Sequence, residues 1–313
     1  MALFVQTKQW EKGMPQKARL GGNFTLPGTS IALTRMGYGA MQLAGSQVWG
    51  PPRDPAAAVA ILREAVESGV NHIDTSDFYG PHVTNQFIKN ALHPYPRGLA
   101  IITKVGYRRG PDKSWIPSLS SQTLNEDVRA NLRNLGLDVL DVVNLRLGTN
   151  TRPSEGSIAE PLSVLESLRQ QGYIRHIGLS NVTANQLVEA QSITNIVCVQ
   201  NFYNVAQRHD DPFIDKLAAQ GISYVPFFPL GGFTPLQSSV LDTAATEVEA
   251  TPMQVALAWL LQRSRNILLI PGTSSLDHLR QNIDAVSLAL PSDVIARLDA
   301  IGETPAMTGR RVQ

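Results

Sequence analysis

The sequence contains one cysteine, Cys198, in the apolar stretch IVCVQ. An intramolecular disulfide is therefore excluded, and a buried thiol in a reducing compartment is the simplest interpretation. Positive and negative charges nearly balance, with 27 Lys and Arg against 26 Asp and Glu. Neither a nucleic-acid partner nor an anionic membrane surface is therefore expected. The sequence also lacks a membrane-spanning apolar run, and residues 1–17 lack the apolar core and cleavage site of a signal peptide. We therefore expect a cytoplasmic protein.

A linker rich in Pro, Gly or Ser is also absent. Of the 313 residues, 43% are hydrophobic and 17% are charged, so a large core is expected. The sequence thus predicts a single barrel domain over residues 1–313, with a core from about residue 22 to about residue 300. For its quaternary state, we expect a monomer or a weak homo-oligomer.

Eight short apolar runs alternate with segments of helical pattern. The runs are 36–40, 71–75, 99–104, 139–146, 174–180, 195–200, 222–228 and 266–270. The helical segments include 54–68, 122–135, 158–171, 183–191, 211–220, 251–263 and 275–283. Alternation of this kind predicts a parallel α/β sheet, and eight units favour a closed (β/α)8 TIM barrel. The earlier stretch FTLPGTSIALTRMG predicts an N-terminal hairpin, turning at Pro27–Gly28, that closes the barrel bottom.

Ionisable side chains come at the carboxyl ends of three successive strands, the active face of such a barrel. Asp74 ends the second strand, with Tyr79 in the loop after it, Lys104 ends the third, and Asn144 and Arg146 end the fourth. A phenol with a pKa of about 10 is a poor proton donor, and a nearby ammonium lowers that pKa. Asp74, Tyr79 and Lys104 together would make a tuned proton donor, which suits carbonyl reduction by hydride.

Each of these residues also has an ordinary role when it is considered alone. Asp74 could cap a helix, Tyr79 could be a solvated loop residue, and Lys104 could form a salt bridge or a Schiff base. His72 and His82 are expected to be packing or surface histidines. No His, Asp or Glu spacing is typical of a metal site, so no metal is predicted.

Six segments, in order, resemble the aldo-keto reductase family. They are GVNHIDTSDFYG, IITKVG, HIGLSNV, VQNFYN, PFFPLGG and IPGTSSLDHLRQN. The resemblance extends from about residue 22 to about residue 300. That family binds NADP without a Rossmann domain, so the lack of a G-x-G-x-x-G or Walker motif does not count against a nucleotide.

The resemblance implies a role for each matching residue. Tyr79 would donate the proton, Lys104 would lower its pKa, Asp74 would hold Lys104, and Phe227 would stack on the nicotinamide. Ser180, Asn181 and Gln200 would hold the carboxamide, and Leu230 and Gly231 the pyrophosphate. The remaining predicted cofactor residues are Ala40, Met41, Gly272, Thr273, Ser274, His278, Gln281 and Asn282. Of these, Thr273 and Ser274 would reach the adenosine 2′-phosphate or its neighbours, and Gln281 and Asn282 would approach the adenine.

Two positions depart from the family pattern. Arg146 stands where the family usually has a histidine, and either it or Asn144 would take over that role. An arginine stays protonated, so it can bind or polarise an oxygen but cannot shuttle a proton, and it should lower the pKa of Tyr79 further. In the phosphate segment, Gly272 and His278 replace Lys and Arg, although His278 or Arg280 could still hold a phosphate. We expect NADPH rather than NADH.

The substrate expectation also comes from resemblance. Several stretches are similar to a bacterial subgroup that includes enzymes described as pyridoxal reductases. This implies NADPH-dependent reduction of an aldehyde, with pyridoxal to pyridoxine as the leading hypothesis. Asn144, Arg146, Trp49, Tyr107 and Phe233 are the predicted substrate-binding residues, and Trp115 could also stack on a pyridine ring. The alternatives are a promiscuous aldehyde or ketone reductase, a cofactor-binding regulatory subunit and a Schiff-base lyase.

Overall fold

Seven parallel strands form the centre of the structure, a computed structural model that describes residues 20–232, 236 and 238–301. The described residues contain eleven strands: β1 (Asn23–Thr25), β2 (Ala32–Thr34), β3 (Tyr38–Gly39), β4 (His72–Asp74), β5 (Ala100–Val105), β6 (Tyr107–Arg109), β7 (Trp115–Pro117), β8 (Leu140–Arg146), β9 (Ile174–Ser180), β10 (Ile196–Gln200) and β11 (Ser223–Tyr224). The parallel sheet has the order β3–β4–β5–β8–β9–β10–β11. Adjacent strands in this sheet follow one another in sequence, apart from the β6–β7 hairpin, as a barrel requires.

The eighth apolar run closes the barrel without forming a regular strand. Residues 266–270 make isolated parallel bridges, Ile267 to Tyr224 on one side and Leu269 to Met36 on the other. Leu268 N donates to Tyr224 O at 2.9 Å, and Gly37 N donates to Leu269 O at 2.7 Å. The run falls short of a strand because its neighbours β11 and β3 are only two residues long. The predicted (β/α)8 architecture is confirmed.

The described residues also contain ten α-helices, most of which pack outside the strands. They are α1 (Pro55–Glu67), α2 (Val83–Leu92), α3 (Ser121–Leu135), α4 (Ala159–Gln170), α5 (Ala184–Gln191), α6 (Asp211–Ala219), α7 (Ser239–Glu247), α8 (Pro252–Arg263), α9 (Leu276–Asp284) and α10 (Ser292–Asp299). Asp54 caps α1 by accepting from Ala57 N at 3.0 Å, and Thr251 caps α8 with Gln254 as its capping-box partner. None of the helices described here is both long and apolar enough to cross a membrane.

The N-terminal hairpin covers the amino end of the barrel, as predicted. Strands β1 and β2 pair antiparallel, and Leu26 and Leu33 are buried in one apolar cluster with Ala100 and Val142 of the barrel strands. Asn71, just before β4, accepts from Thr34 N at 2.8 Å. This end of the barrel is therefore a packed core, and the polar chemistry lies at the other end.

Candidate active site

Three ionisable side chains meet where β4 and β5 end. Lys104 Nζ donates to Asp74 Oδ1 at 2.6 Å and to the carbonyl oxygen of Thr75 at 3.1 Å. The same nitrogen lies 5.3 Å from the ring centroid of Tyr79. Asp74, Tyr79 and Lys104 are all buried. The structure thus brings the three predicted catalytic residues into one cluster.

Burial and charge act in opposite directions on this cluster. Burial raises the pKa of Tyr79, whereas the Lys104 ammonium and, less strongly, the Arg146 guanidinium lower it; the net direction is upward. Burial lowers the pKa of Lys104, but Asp74 and Tyr79 together raise it by more, so the net direction is again upward. The expected net lowering of the pKa of Tyr79 is therefore wrong for this structure, because a sequence does not show how far a side chain is desolvated. At neutral pH the cluster holds a neutral phenol beside an ammonium, which is the state that proton donation requires.

Two buried amide groups beside the cluster present oxygen atoms that lack partners. Gln200 Nε2, at the end of β10, donates to Asp74 Oδ2 at 2.8 Å. Asn181 Nδ2, just after β9, donates to three backbone carbonyl groups at 2.7 to 3.0 Å. Within the described part of the chain, neither Gln200 Oε1 nor Asn181 Oδ1 has a hydrogen-bond partner. An unsatisfied buried acceptor is costly, so these two oxygens are available to accept N–H donors from a bound molecule.

Arg146, at the end of β8, contacts Ser180, the loop that follows β8 and Phe227. Its Nη1 is 3.3 Å from Ser180 Oγ, and its Nη2 donates to two carbonyl groups of the following loop at 3.0 and 2.7 Å. Its guanidinium carbon lies 4.8 Å from the ring centroid of Phe227. Burial lowers the pKa of Arg146 to about 10, so the side chain stays charged at neutral pH. A fixed cation in this position can bind a carbonyl or anionic oxygen.

Asn144, the other candidate on β8, lies deeper inside the barrel. It is fully buried, and its Oδ1 is 3.2 Å from Cys198 Sγ. It fits there because Gly178 has no side chain; a Cβ at that position would lie 2.0 Å from Asn144 Oδ1. Asn144 is thus two residues deeper than Arg146 and in register with Lys104 on the neighbouring strand, and its role in substrate binding stays a prediction. Strand alternation correctly predicts that Asn144 and Arg146 share the inner face, but it does not give their depth.

A cleft extends from the cluster to the ends of the first, seventh and eighth barrel segments. It is lined by Gly39, Met41, Gln42, Asp74, Tyr79, Gln200, Phe227, Phe228, Pro229, Leu230, Gly232, Ile270, Pro271 and Gly272. Among the predicted cofactor residues that do not line it, Ala40 is buried, and Gly231 N donates to Phe228 O at 3.0 Å. Phe227 stacks on Phe202, with ring centroids 5.7 Å apart. Gln42, Phe228 and Pro229 were not predicted as site residues, although Phe228 and Pro229 lie within the matched segment PFFPLGG and Gln42 follows the predicted Met41.

The predicted phosphate segment packs tightly against β3. A Cβ on Gly39 would lie 2.4 Å from the carbonyl oxygen of Ile270, and a Cβ on Gly272 would lie 2.7 Å from that of Gly39. Tyr38, from the same strand, donates its hydroxyl to Thr273 O at 2.7 Å. Glycine is needed at both positions because the two backbones meet without space for a side chain.

The remaining residues of this segment differ in how exposed they are to solvent. Ser274, His278 and Gln281 are exposed, whereas Thr273 and Asn282 are buried. The Thr273 hydroxyl accepts from Ser275 N at 3.0 Å. Arg280, which we considered as a phosphate ligand, instead donates to both carboxylate oxygens of Glu64 on α1, at 2.6 and 3.0 Å. The sequence could not show this pairing because Glu64 is distant along the chain.

Aromatic residues gather on the other side of Tyr79. Phe78 contacts Tyr79 edge-on at 5.2 Å and Trp115 at 5.6 Å, measured between ring centroids. Tyr107 is buried in the same cluster and donates its hydroxyl to Gly148 O. Trp49 lies nearby, where its backbone bridges to Gly80. Phe233, also predicted to bind substrate, falls outside the described residues. Phe78 was not singled out in the sequence, although it directly precedes Tyr79.

Comparison with known proteins agrees with this geometry. The model of the aldo/keto reductase family matches residues 35–303. The chain belongs to the aldo/keto reductase family. It is thus an oxidoreductase that acts on CH–OH groups with a nicotinamide dinucleotide. It is 62% identical to pyridoxine 4-dehydrogenase of Escherichia coli over 280 residues, which are 89% of this chain and 97% of the relative.

Solved structures show the same fold. The thermostable aldo-keto reductase Tm1743, in complex with the inhibitor epalrestat, is 28% identical to this reductase, with a TM-score of 0.75 over 90% of this chain and 99% of that one. An aldo-keto reductase from Klebsiella pneumoniae, in complex with NADPH, is 21% identical, with a TM-score of 0.73 over 92% and 98% of the two chains.

The residues of this reductase fit a nicotinamide cofactor. A carboxamide has an NH2 group that can donate to Gln200 Oε1 and Asn181 Oδ1, and a carbonyl oxygen that can accept from the Ser180 hydroxyl. Phe227 lines the same cleft as Gln200. Among the described residues no group of three or more His, Cys, Asp or Glu side chains could hold a metal ion.

Proposed function

We propose that this reductase uses NADPH to reduce pyridoxal to pyridoxine. One observation carries the proposal: a buried tyrosine, a lysine and an aspartate lie beside two unpartnered amide oxygens. The identity of 62% to pyridoxine 4-dehydrogenase supports the choice of substrate. Residue roles, the predicted single domain, the cytoplasmic location and the oligomeric state remain predictions.

The bound cofactor would supply a hydride to the aldehyde carbon from its dihydronicotinamide ring. Tyr79 holds the proton that the carbonyl oxygen gains as its C=O double bond becomes a C–O single bond. Lys104 stabilises the phenolate that remains, and Asp74 keeps Lys104 charged and directed at Tyr79. One aldehyde, one hydride and one proton give one alcohol, and a proton from solvent restores Tyr79.

Arg146 gives a reason for pyridoxal in particular. Pyridoxal carries a phenolic hydroxyl on the ring carbon next to the one that bears its aldehyde, and that hydroxyl is acidic. The Arg146 guanidinium lies near Tyr79 and remains charged, since its pKa is about 10, so it can bind that oxygen while Tyr79 serves the aldehyde. We expect Arg146→His to keep some activity and to shift the preference from pyridoxal towards simple aldehydes. If kcat/KM for several aldehydes is the same in this variant as in the wild type, Arg146 has no role in the site.

The preference for NADPH rests on the exposed part of the phosphate segment. Ser274 and His278 are both exposed near the start of α9, where backbone N–H groups favour anions. Because Arg280 is paired with Glu64, we expect a modest preference for NADPH over NADH. Comparable kcat/KM values for the two cofactors would overturn this preference.

The test is cofactor oxidation with pyridoxal, benzaldehyde, propanal and acetone, with Tyr79→Phe as the control. The proposal predicts the highest kcat/KM for pyridoxal and a loss of about 10²-fold or more in kcat for Tyr79→Phe. Similar kcat/KM values for all four compounds would support a promiscuous reductase instead. NADPH binding without oxidation by any carbonyl compound would support a regulatory subunit.

A further inference from the structure

A second arginine at the barrel mouth makes contacts that the reaction itself does not require. Arg109, at the end of β6, donates from Nη1 to the carbonyl oxygen of Val48 at 2.8 Å and from Nη2 to that of Gln47 at 3.0 Å. Nη2 also donates to the carbonyl oxygen of Lys113 at 2.8 Å, within the turn of its own hairpin. One guanidinium therefore joins the loops that follow the first and third barrel strands. These loops flank the loop of Tyr79, because β4 lies between β3 and β5 in the sheet.

The same guanidinium stacks on two indole rings. Its central carbon lies 3.9 Å from the ring centroid of Trp115 and 5.5 Å from that of Trp49. A planar guanidinium can stack on a ring while its N–H fork donates to carbonyl groups in its own plane. A lysine cannot satisfy both requirements at once. No carboxylate within the described residues forms an ion pair with Arg109, in contrast to Arg108, which pairs with two acidic residues of α3.

The loop that Arg109 holds has a strained backbone. Gln47 and Val48 have φ angles of 61° and 56°, in the left-handed region that branched side chains such as valine rarely adopt. Such a conformation persists only where surrounding contacts impose it. Besides the bonds from Arg109, those contacts include Gly80 N to Val48 O at 3.2 Å and Gly50 N to Gly80 O at 2.9 Å. Val48 O is thus shared between Arg109 and the residue that follows Tyr79.

We propose that Arg109 is a positioning residue that makes the site selective for planar aromatic aldehydes. It holds Trp49 and Trp115 as one wall, and Phe78 continues that wall to Tyr79 through its edge-on contacts. A planar ring gains from stacking on such a wall, whereas a short aliphatic aldehyde has too little surface to do so. The inference rests on the proposed aldehyde reduction and concerns the substrate class of that same site.

The test compares Arg109→Met and Arg109→Lys with Arg108→Met, the matched control from the neighbouring arginine. For Arg109→Met we expect KM for pyridoxal to rise about tenfold, while KM for propanal and kcat with both aldehydes stay within about twofold to threefold. Arg109→Lys should resemble Arg109→Met, because a lysine keeps the charge but lacks the planar set of N–H donors of the guanidinium. Amide hydrogen exchange at Gly50 and Gly80 should be faster in both Arg109 variants and unchanged in Arg108→Met.

Equal changes in KM for pyridoxal and propanal would overturn the inference, as would an Arg109→Lys variant with the KM values of the wild type. If Arg109→Met fails to fold, Arg109→Lys alone decides between these outcomes. A wild type that reduces no aldehyde would refute the proposed function. The inference itself fails when the wild type is active and the Arg109 and Arg108 variants behave alike.

Discussion

The two sides of the barrel mouth are built in different ways. The proposed cofactor side takes Ser180 and Gln200 from the buried carboxyl ends of β9 and β10. The proposed substrate side takes its aromatic rings and Arg109 from loops after the first three strands, where the described backbone includes strained positions. Strand ends hold side chains in fixed positions, which suits a cofactor that is always the same. Loops can differ in sequence and conformation, which suits substrates that differ. The cluster of Asp74, Tyr79 and Lys104 lies between the two sides and serves both.

Loss of Lys104 should have the largest effect, since both sides depend on it. Lys104→Met is expected to reduce kcat by about 10²-fold or more and to destabilise the fold by about 3–5 kcal/mol, because Asp74 stays buried without its cation. Steady-state kinetics and urea unfolding measure the two effects. The double variant Asp74→Asn/Lys104→Met should recover stability but not activity. A single variant that keeps kcat within about threefold would contradict the role of Lys104.

Gln200 tests the cofactor side. Gln200→Leu removes the amide oxygen that would accept from the carboxamide and the bond to Asp74 Oδ2. We expect the Kd for NADPH to rise about tenfold, while KM for pyridoxal stays within about twofold; fluorescence titration measures the Kd. The matched control is Gln191→Leu, an exposed glutamine on α5. If KM for pyridoxal rose and the Kd did not, the assignment of the two sides would be reversed.

The pH dependence tests the proton donor between the two sides. Because burial raises the pKa of Tyr79, its proton is present throughout the neutral range. The kcat for aldehyde reduction should therefore be flat from about pH 6 to about pH 8. Oxidation of the alcohol needs the unprotonated phenol, so its rate should rise with pH over the same interval. A reduction rate that falls steadily across this interval would show that the pKa of Tyr79 is lowered.

The smallest expected effect concerns the edge of the cofactor side. Glu64→Gln would remove the charge of the bidentate partner of Arg280 and leave this cation on α9 with the longer contact to Asp277, at 3.5 Å. We expect KM for NADPH to fall by about twofold to threefold, with KM for NADH unchanged. KM for NADH, measured on the same variant, is the control. An equal change for both would mean that Arg280 does not reach the 2′-phosphate.

The contrast between strand ends and loops also explains what the sequence could predict. Asp74, Lys104 and Arg146 follow from apolar runs and the rule that strand ends share one face, and the structure brings them together with Tyr79. The sequence did not predict three properties that depend on the folded structure. These are the depth of Asn144 in the barrel, the desolvation of Tyr79 and the pairing of Arg280 with Glu64. The β6–β7 hairpin and the contacts of Arg109 were also missed, because they join loops that have no common pattern in the sequence.

The rate of hydride transfer in a single turnover is the most direct test of whether Tyr79 donates the proton. Enzyme saturated with NADPH is mixed with excess pyridoxal, and the loss of dihydronicotinamide absorbance is followed for the wild type and for Tyr79→Phe. The account predicts a fast first turnover in the wild type and one slower by about 10²-fold or more in the variant, with equal Kd values for NADPH. Equal first-turnover rates would show that the Tyr79 hydroxyl is not the proton donor.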